Sequence, residues 1–206
     1  MGRAAKYSVD QLLDAARDML VESGPAGVSV QAVAAATNAP SGSVYYRFAS
    51  RDELLASLWL RSVERFQAGL MTVLAEPDAF VSARRAAAYV LEWSRECTAD
   101  ARVMLLFRSS DLLTAGWPVG LVDRNGAQRA RVEGFFEELD RRLGAHGDGE
   151  RRRVRFAVVD IPYAAARAAL LRGAAPEAEL DELVDTAVQA VLRPLKQTGK
   201  ETDGSE

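Results

Sequence analysis

The chain has 206 residues, of which 49% are hydrophobic, and a formal net charge of −3. The hydrophobic content is sufficient for a packed core, and the small negative charge argues against a surface with general affinity for nucleic acid. The single cysteine, Cys97, excludes an intramolecular disulfide, and no apolar run is long enough to cross a membrane. We therefore expect a cytoplasmic protein without a membrane partner.

Apolar and polar residues show no sustained alternation of the kind that indicates β-strands, so the sequence predicts an all-α fold. The first helix begins with a capping box formed by Ser8 and Gln11 and ends at Gly24 and Pro25. Its apolar stripe is expected to cover the back of the helices that follow.

A second, short helix begins at Ser29, whose hydroxyl is suited to an N-cap. The free amides at this helix end, together with Gln31, are also suited to a DNA phosphate. The two roles of Ser29 are compatible with each other.

The next stretch predicts a helix-turn-helix. Asn38 tolerates the left-handed conformation that ends a helix, and Pro40 suits the first turn of the next one. Val44 and Phe48, four residues apart, are expected to face inward. In such a motif the second helix enters the DNA major groove by its N-terminal residues.

A long fourth helix is expected to begin at a capping box formed by Ser50 and Glu53. The residues before this helix are small or hydrogen-bonding, which suits contacts to base edges and phosphates. We expect base contacts from Ser41, Ser43 and Tyr45, phosphate contacts from Tyr46, Arg47 and Arg51, and a DNA-binding set completed by Ser29, Gln31 and Gly42.

The run V-A-A-A-T-N-A-P-S-G-S-V-Y-Y-R-F-A-S-R-D-E-L-L, which begins at Val33, resembles the DNA-binding signature of the TetR family of bacterial transcriptional repressors. Its spacing is unbroken, and the Gly, Tyr and Phe of the signature are in register. The chain departs from the signature in the residues Asn38, Pro40, Arg47 and Arg51. Each departure preserves the local property that the signature requires. Asn accepts a positive φ in the turn, and Arg is still a basic residue suited to phosphate.

The resemblance implies a DNA-binding domain at residues 1–51 and a helical sensing and dimerisation domain at 52–196. We expect residues 197–206 to form a disordered polar tail. Beyond the motif, the apolar periodicity and the breaks predict helices over 50–76, 79–97, 103–107, 132–143 and 150–172, a bend over 109–120, a kink at Pro162 and a last helix from Pro176.

In the family, the last two long helices pair with their twofold mates to form the dimer interface. The alanines and the long apolar stripe at the end of this chain are compatible with such an interface, although the same helices could simply complete a monomer core. The predicted interface residues are Ala165, Ala168, Leu180, Val184, Val188 and Leu192.

Asp160 lies in an apolar stretch of the sequence. It could form an ion pair with an arginine of another helix, or it could be the polar contact for a small-molecule effector. The other predicted ligand-binding residues, each of which could equally be a core residue, are Phe66, Leu70, Trp93, Met104, Phe107, Trp117 and Tyr163.

No catalytic constellation is present in the sequence. The only histidine, His146, lies in a Gly- and Asp-containing turn, and there is no glycine-rich phosphate loop. We therefore predict neither an enzyme nor a cofactor or metal site. The sequence favours a homodimeric repressor that binds double-stranded operator DNA and is released by a small, largely hydrophobic molecule. The alternative is a regulator of the same fold that responds to a protein partner or to no ligand.

Overall fold

The computed structural model of the chain describes residues 7–107 and 118–201. Throughout these two ranges the regular structure is helical, which confirms the all-α prediction. The helices are α1 (Val9–Ser23), α2 (Val30–Ala36), α3 (Ser41–Tyr45), α4 (Arg51–Leu70), α5 (Ala79–Glu96), α6 (Thr98–Leu106), α7 (Val119–Leu143), α8 (Asp148–Arg155), α9 (Ile161–Leu171) and α10 (Leu180–Glu201). Among them, none is both long and apolar enough to cross a membrane.

The chain divides into two compact units. The first comprises Met1–Glu64 and Ala99–Gly126, and the second comprises Arg65–Thr98 and Ala127–Glu206. This division differs from the predicted boundary after residue 51, because the first part of α4 and nearly all of α6 belong with the N-terminal helices.

The core of the first unit is built on α1. The Ser8 hydroxyl accepts a hydrogen bond from the Gln11 amide at 3.1 Å, and the Gln11 side chain accepts one from the Ser8 amide at 2.9 Å. Gly24, with a φ of 70°, follows the helix. The buried stripe of α1 contributes to a core that includes Leu12, Leu13, Ala16, Leu20, Val33, Val44, Phe48, Leu54 and Leu58. The predicted scaffold role of α1 is confirmed.

Polar contacts join α6 to α1 and α4 within this unit. The buried carboxylate of Asp100 accepts a hydrogen bond from the Ser62 hydroxyl at 2.7 Å, and it lies 3.7 Å from the Arg17 guanidinium. Arg102 donates to the Val21 carbonyl at 3.1 Å. Because a buried carboxylate needs such partners, these contacts fix the position of α6 in the unit.

In the second unit, α9 and α10 pack against each other and against α5. Two forked ion pairs join α5 to α10: Arg84 contacts Asp185 at 2.6 Å, and Arg95 contacts Asp181 at 2.8 Å. The side chains buried in this unit include Leu91, Phe135, Leu139, Val154, Val188 and Leu192.

A π-helical turn, Phe156–Asp160, joins α8 to α9 directly before Pro162. The Ile161 amide donates to the Phe156 carbonyl, five residues back, whereas an α-helix would use the carbonyl four residues back. Proline cannot continue the ordinary ladder, since it has no N–H and its ring crowds the preceding turn. The sequence predicts that Pro162 kinks or loosens the helix, and the structure shows a π-helical turn directly before it.

Several predicted boundaries differ from the structure. The helix predicted over 103–107 begins already at Thr98, and the one predicted over 50–76 is α-helical only to Leu70 and continues as a 3₁₀ helix over Met71–Ala75. The last helix begins at Leu180 rather than Pro176, and it continues to Glu201, so the predicted disorder is wrong for residues 197–201. The helix predicted over 132–143 begins already at Val119. Most of the bend predicted over 109–120 lies outside the described residues. Long polar stretches such as these have weak apolar periodicity, which is why their helical ends were missed.

Candidate DNA-binding surface

The turn between α2 and α3 has the conformation that the sequence predicts. Asn38 adopts a φ of 52°, in the left-handed region, and the Ala39 amide donates to the Ala34 carbonyl at 3.0 Å. The hydroxyl of Tyr7 donates to the Asn38 carbonyl at 2.6 Å. The chain ahead of α1 therefore contributes to holding the turn.

The inner and outer faces of α3 are clearly separated. Val44 and Phe48 are 0% and 3% exposed, as predicted. On the outer side, Ser41, Gly42 and Tyr45 are exposed, and Tyr46, in the turn after α3, has 91% of its surface exposed. A large aromatic side chain exposed to this extent makes little contact with its own chain, so it is free to contact a partner.

Gly42 lies in α3 with open space beside it. A Cβ atom built at this position meets no atom within 4 Å outside its own helix and chain neighbours, and the residue does not have a positive φ. Glycine in a helix costs about 0.5–1 kcal/mol relative to alanine. Neither the packing nor the backbone of the described chain requires glycine here.

Arg47 is engaged within the chain. Its guanidinium donates to the Ser43 carbonyl and hydroxyl, both at 2.8 Å, and to the Tyr7 carbonyl at 3.2 Å. The predicted base contact Ser43 and the predicted phosphate contact Arg47 are thus bonded to each other.

Arg51 is also engaged. Its Nε donates to the Val28 carbonyl at 2.8 Å, and its Nη2 donates to the Pro25 carbonyl. Nη1 lies 3.7 Å from the Asp52 carboxylate. These bonds attach the start of α4 to the connection between α1 and α2, a structural role that the motif did not indicate.

The remaining predicted residues lie at helix ends. The Ser29 hydroxyl accepts from the Ala32 amide at 3.0 Å and caps α2, and Gln31 is exposed beside it. At the start of α4, the Ser50 hydroxyl accepts from the Glu53 amide at 3.1 Å, and the Glu53 carboxylate accepts from the Ala49 amide at 2.8 Å. The two predicted caps are confirmed, whereas the DNA contacts stay predictions.

The predicted ligand-binding residues are brought together only in part. In the second unit, Phe66 packs edge-on against Trp93, with ring centroids 5.1 Å apart, and Leu70 is buried. Met104 and Phe107 are half-buried residues of the first unit. Trp117 lies outside the described residues.

Asp160 and Tyr163 are exposed in the single chain, and Asp160 forms no ion pair with an arginine within the described ranges, so of its two alternatives the ligand contact stays a prediction. The π-helical turn accounts for this exposure, because it shifts the helical phase after Phe156. The apolar neighbours of Asp160 in the sequence are therefore not all its neighbours in space.

The buried polar atoms that have no hydrogen-bond partner within the described ranges include two that the sequence did not single out. The Gln67 Oε1 atom in the second unit and the Trp59 Nε1 atom in the first have no hydrogen-bond partner within the described part of the chain. An unsatisfied buried group costs about 1–3 kcal/mol, so each requires an explanation such as a bound molecule. Sequence periodicity places such residues on an inner face but does not reveal a missing partner.

The predicted dimer residues fall into two groups. Ala165 and Leu180 are half-buried and Ala168 is exposed. In contrast, Val184, Val188 and Leu192 are 4%, 0% and 1% exposed in the single chain. They have almost no surface left for a partner, so they are core residues of the second unit, and the predicted interface has to be revised.

The α3 helix has an exposed N-terminal end and an apolar back, and a left-handed turn holds it against α2. This arrangement is the helix-turn-helix of a DNA-binding regulator. Residues 12–58 match the family model described as bacterial regulatory proteins, tetR family. The chain therefore carries the DNA-binding domain of the TetR family of transcriptional regulators, and the predicted resemblance is confirmed.

Solved structures extend the similarity in fold to nearly the whole chain. A TetR-like transcriptional regulator from Rhodococcus sp. RHA1 is 22% identical, covers 95% of this chain and 98% of its own, and has a TM-score of 0.63. The ketosteroid transcriptional regulator KstR2 of Mycobacterium tuberculosis is 18% identical, with coverages of 92% and 95% and a TM-score of 0.61. FadR from Bacillus subtilis, solved in complex with stearoyl-CoA, is 15% identical, with coverages of 91% and 97% and a TM-score of 0.59. No curated protein sequence matches the chain.

Proposed function

We propose that the chain is a homodimeric repressor that binds a palindromic operator through α3 and is released by a small, largely hydrophobic ligand. The DNA-binding part of this proposal rests on the exposed end of α3, where neither packing nor backbone conformation requires glycine at position 42. A backbone without a Cβ atom allows close approach of a DNA strand, and this would account for Gly42. The exposed side chain of Tyr46, in the turn after α3, has a hydroxyl group that could donate to a phosphate.

The test compares two glycines that both have open space beside them. Gly42→Ala should stabilise the protein by about 0.5–1 kcal/mol, because alanine favours the helix. The same change should weaken operator binding, because the added methyl group occupies the space that the DNA backbone needs. Gly126→Ala, in α7 of the same unit, is the matched control, since its Cβ also meets nothing within 4 Å.

The measurement is fluorescence anisotropy with an operator selected from a random DNA pool, combined with urea denaturation of each variant. We expect Gly126→Ala to gain stability without a loss of affinity. Equal affinity of Gly42→Ala and the parent protein would refute close approach of DNA at α3.

The homodimer is supported by an exposed apolar surface on the second unit. Large apolar side chains remain uncovered on the π-helical turn, α9 and α10, and such surfaces are typical of interfaces. The residues of this surface, which we call the α9–α10 face, are Phe156, Val159, Tyr163, Leu171 and Leu183. Ala168, from the original prediction, is exposed on the same helix as Tyr163 and Leu171. This face replaces Val184, Val188 and Leu192 as the proposed interface.

Release by a ligand is supported by the aromatic cluster of Phe66, Tyr89 and Trp93 and by the unpartnered Gln67 amide oxygen. Apolar walls with one polar group are typical of small-molecule sites. The FadR structure contains an acyl-CoA, and KstR2 is a ketosteroid regulator, so bulky hydrophobic molecules are the first class to test.

A route by which a ligand could affect DNA binding lies within the first unit. The Asp100 carboxylate connects α6 to Ser62 and Arg17, so a shift of α6 would act directly on α1, which supports the helix-turn-helix. A ligand that binds the released state about 100-fold more tightly would supply about 2.7 kcal/mol of bias. This is sufficient to change operator occupancy when binding is not saturated.

The ligand is tested by titrating operator-bound protein with acyl-CoA and steroid panels while anisotropy is measured. Gln67→Leu keeps the volume and removes the unpaired oxygen. It should reduce release by a ligand that has a polar group, and it should leave affinity for the operator unchanged. If no compound releases DNA, the hydrophobic-ligand part of the proposal is wrong, while the DNA-binding part is judged by Gly42→Ala alone.

A further inference from the structure

A charged cleft of about 530 Å³ lies in the second unit between the C-terminal half of α7 and α8. Neither DNA binding nor the hydrophobic ligand accounts for it. One wall carries Glu133, Glu137 and Asp140, which are spaced i, i+4 and i+7 along α7 and therefore share one face over about 10 Å. The facing wall carries Arg151 and Arg155, one helical turn apart on α8.

Asp140 is a buried carboxylate at the base of this arrangement, with an exposed fraction of 5%. Its Oδ2 accepts a hydrogen bond from Arg155 at 3.0 Å. Its Oδ1 has no hydrogen-bond partner among residues 7–107 and 118–201. Burial raises the pKa of Asp140, against the opposing effects of Arg155 and Arg151. A buried carboxylate oxygen without a donor is the feature that a cationic ligand would satisfy.

Arg155 is held in place by a second contact. Its guanidinium lies 3.9 Å from the centroid of the Phe136 ring, in a cation–π arrangement. The Asp140–Arg155 pair is thus fixed from both sides, and the two charges compensate each other.

The other charges of the cleft do not cancel. Arg141 is neutralised by a forked pair with Glu138, at 2.6 and 2.9 Å. Glu133, Glu137 and the Arg151 guanidinium form no ion pair or hydrogen bond in the part of the chain that the structure describes. Two negative charges and one positive charge are therefore left for a ligand.

We propose that this cleft binds a basic amino acid, with its two cationic groups on the α7 wall and its carboxylate on Arg151. The charge complement of the unpaired groups is two positive charges and one negative charge, which is the charge pattern of lysine, ornithine and arginine. A diamine or a simple amino acid provides only part of this pattern. The α-ammonium group can reach the carboxylate wall while the carboxylate faces α8, since the two walls line the same cleft.

The test is an NMR titration of the full-length protein with L-lysine, following the backbone amides of His146 and Gly147, which lie in the turn beside the cleft. Two partial ligands provide the comparison: 1,5-diaminopentane lacks the carboxylate, and 6-aminohexanoate lacks the α-amino group. We expect L-lysine to bind about tenfold more tightly than either.

Two exposed residues allow substitution without disturbing the fold. Arg151→Gln should weaken lysine binding to the level of 1,5-diaminopentane and should leave the diamine unaffected. Glu137→Gln should weaken both by about tenfold. Glu179→Gln and Arg131→Gln, at exposed positions outside the cleft, are the matched controls and should bind like the parent protein.

Asp140→Asn supplies a third measurement, in which loss of the buried charge should weaken binding of all cationic probes. No shift of the His146 and Gly147 amides with L-lysine at about 10 mM would overturn the proposal. So would lysine binding that is unchanged in both Arg151→Gln and Glu137→Gln. Equal binding of lysine and the diamine would refute the assigned role of Arg151, and with it the amino-acid class.

Discussion

The Nε of Arg51 donates a hydrogen bond to the Val28 carbonyl at 2.8 Å, across 23 residues of the chain. Its Nη2 donates to the Pro25 carbonyl as well, so one guanidinium satisfies two main-chain acceptors in the connection that precedes α2. Arg51, the basic residue at the start of α4, therefore stabilises the DNA-binding unit by linking α4 to the connection before α2. A phosphate contact would have to be made by the remaining Nη1, which lies near Asp52.

Replacing Arg51 should affect stability first. Arg51→Ala removes both donors and should lower the free energy of unfolding by about 1–3 kcal/mol, as measured by urea denaturation. Arg51→Lys should recover only part of the loss, because an ammonium group cannot reproduce the forked geometry.

The salt dependence of operator binding separates this role from a phosphate contact. Under conditions where Arg51→Ala is folded, the slope of log K against log salt should equal that of the parent protein. A slope lower by about one would show that Arg51 also neutralises a phosphate. Arg124→Ala is the control for the stability measurement. It removes an exposed ion pair with Glu64 at 2.8 Å in the same unit and should lower the free energy of unfolding by at most about 1 kcal/mol.

The helix-turn-helix was predictable because its signals are local. The positive φ of Asn38, the capping hydroxyls of Ser29 and Ser50 and the inward spacing of Val44 and Phe48 each depend on residues a few positions apart. The partners of Arg51 are 23 and 26 residues away in the sequence and are main-chain carbonyls. No residue type in the motif indicates them, so the motif could suggest only the charge of Arg51.

The sequence misassigned the interface residues of α10 for a different physical reason. The apolar residues of α10 are too numerous for one stripe, because Leu183 and Val188 both belong to the periodic pattern. Periodicity shows which residues share a face, but it does not show which face the chain itself covers. Only the packing of α10 within the second unit distinguishes them, since it buries Val188 and leaves Leu183 with 65% of its surface exposed.

Gly69, in α4, should not tolerate a side chain. A Cβ atom there would overlap the Tyr89 hydroxyl group, which donates to the Phe66 carbonyl at 3.0 Å. Gly69→Ala should destabilise the protein by about 1–3 kcal/mol through overpacking, although alanine is the better helix former.

A double-mutant cycle with Tyr89→Phe checks the cause. Removing the hydroxyl group should relieve much of the clash, so the double variant should lose less stability than the sum of the single losses. Strict additivity would contradict the close contact. Burial also raises the pKa of Tyr89 to about 12, so its ultraviolet ionisation should occur well above the ordinary tyrosine pKa of about 10.

Asp185 should contribute to stability only above acidic pH. The forked hydrogen bond from Arg84, at 2.6 and 2.8 Å, holds the pKa of Asp185 below its ordinary value. Since the folded pKa is the lower one, the stabilisation is present above the unfolded pKa of about 3.9 and is lost as the pH falls through the folded value.

Asp185→Asn should therefore lower the free energy of unfolding at pH 7 by about 0.2–1 kcal/mol, a range that allows for the partial exposure of the pair. Below the folded pKa, the variant and the parent protein should have similar stability. Glu182→Gln, an exposed acid on the same helix, is the control. A constant difference between Asp185→Asn and the parent protein from pH 7 down to about pH 2 would show that the carboxylate charge is not the cause.

Two leucines of α10 distinguish the proposed interface from the core. Leu183 is 65% exposed and Leu192 is 1% exposed in the single chain. Leu183→Asp should give a folded monomer, because the charge disrupts the α9–α10 face of the dimer but remains solvated in the separated chain. Leu192→Asp should unfold the second unit, because it places an unpaired charge in an apolar interior at a cost of several kcal/mol. Both variants are measured by sedimentation velocity and circular dichroism. A dimer that persists in Leu183→Asp would rule out the α9–α10 face as the interface. A folded monomer from Leu192→Asp would show that the interface includes the buried residues Val184, Val188 and Leu192 instead.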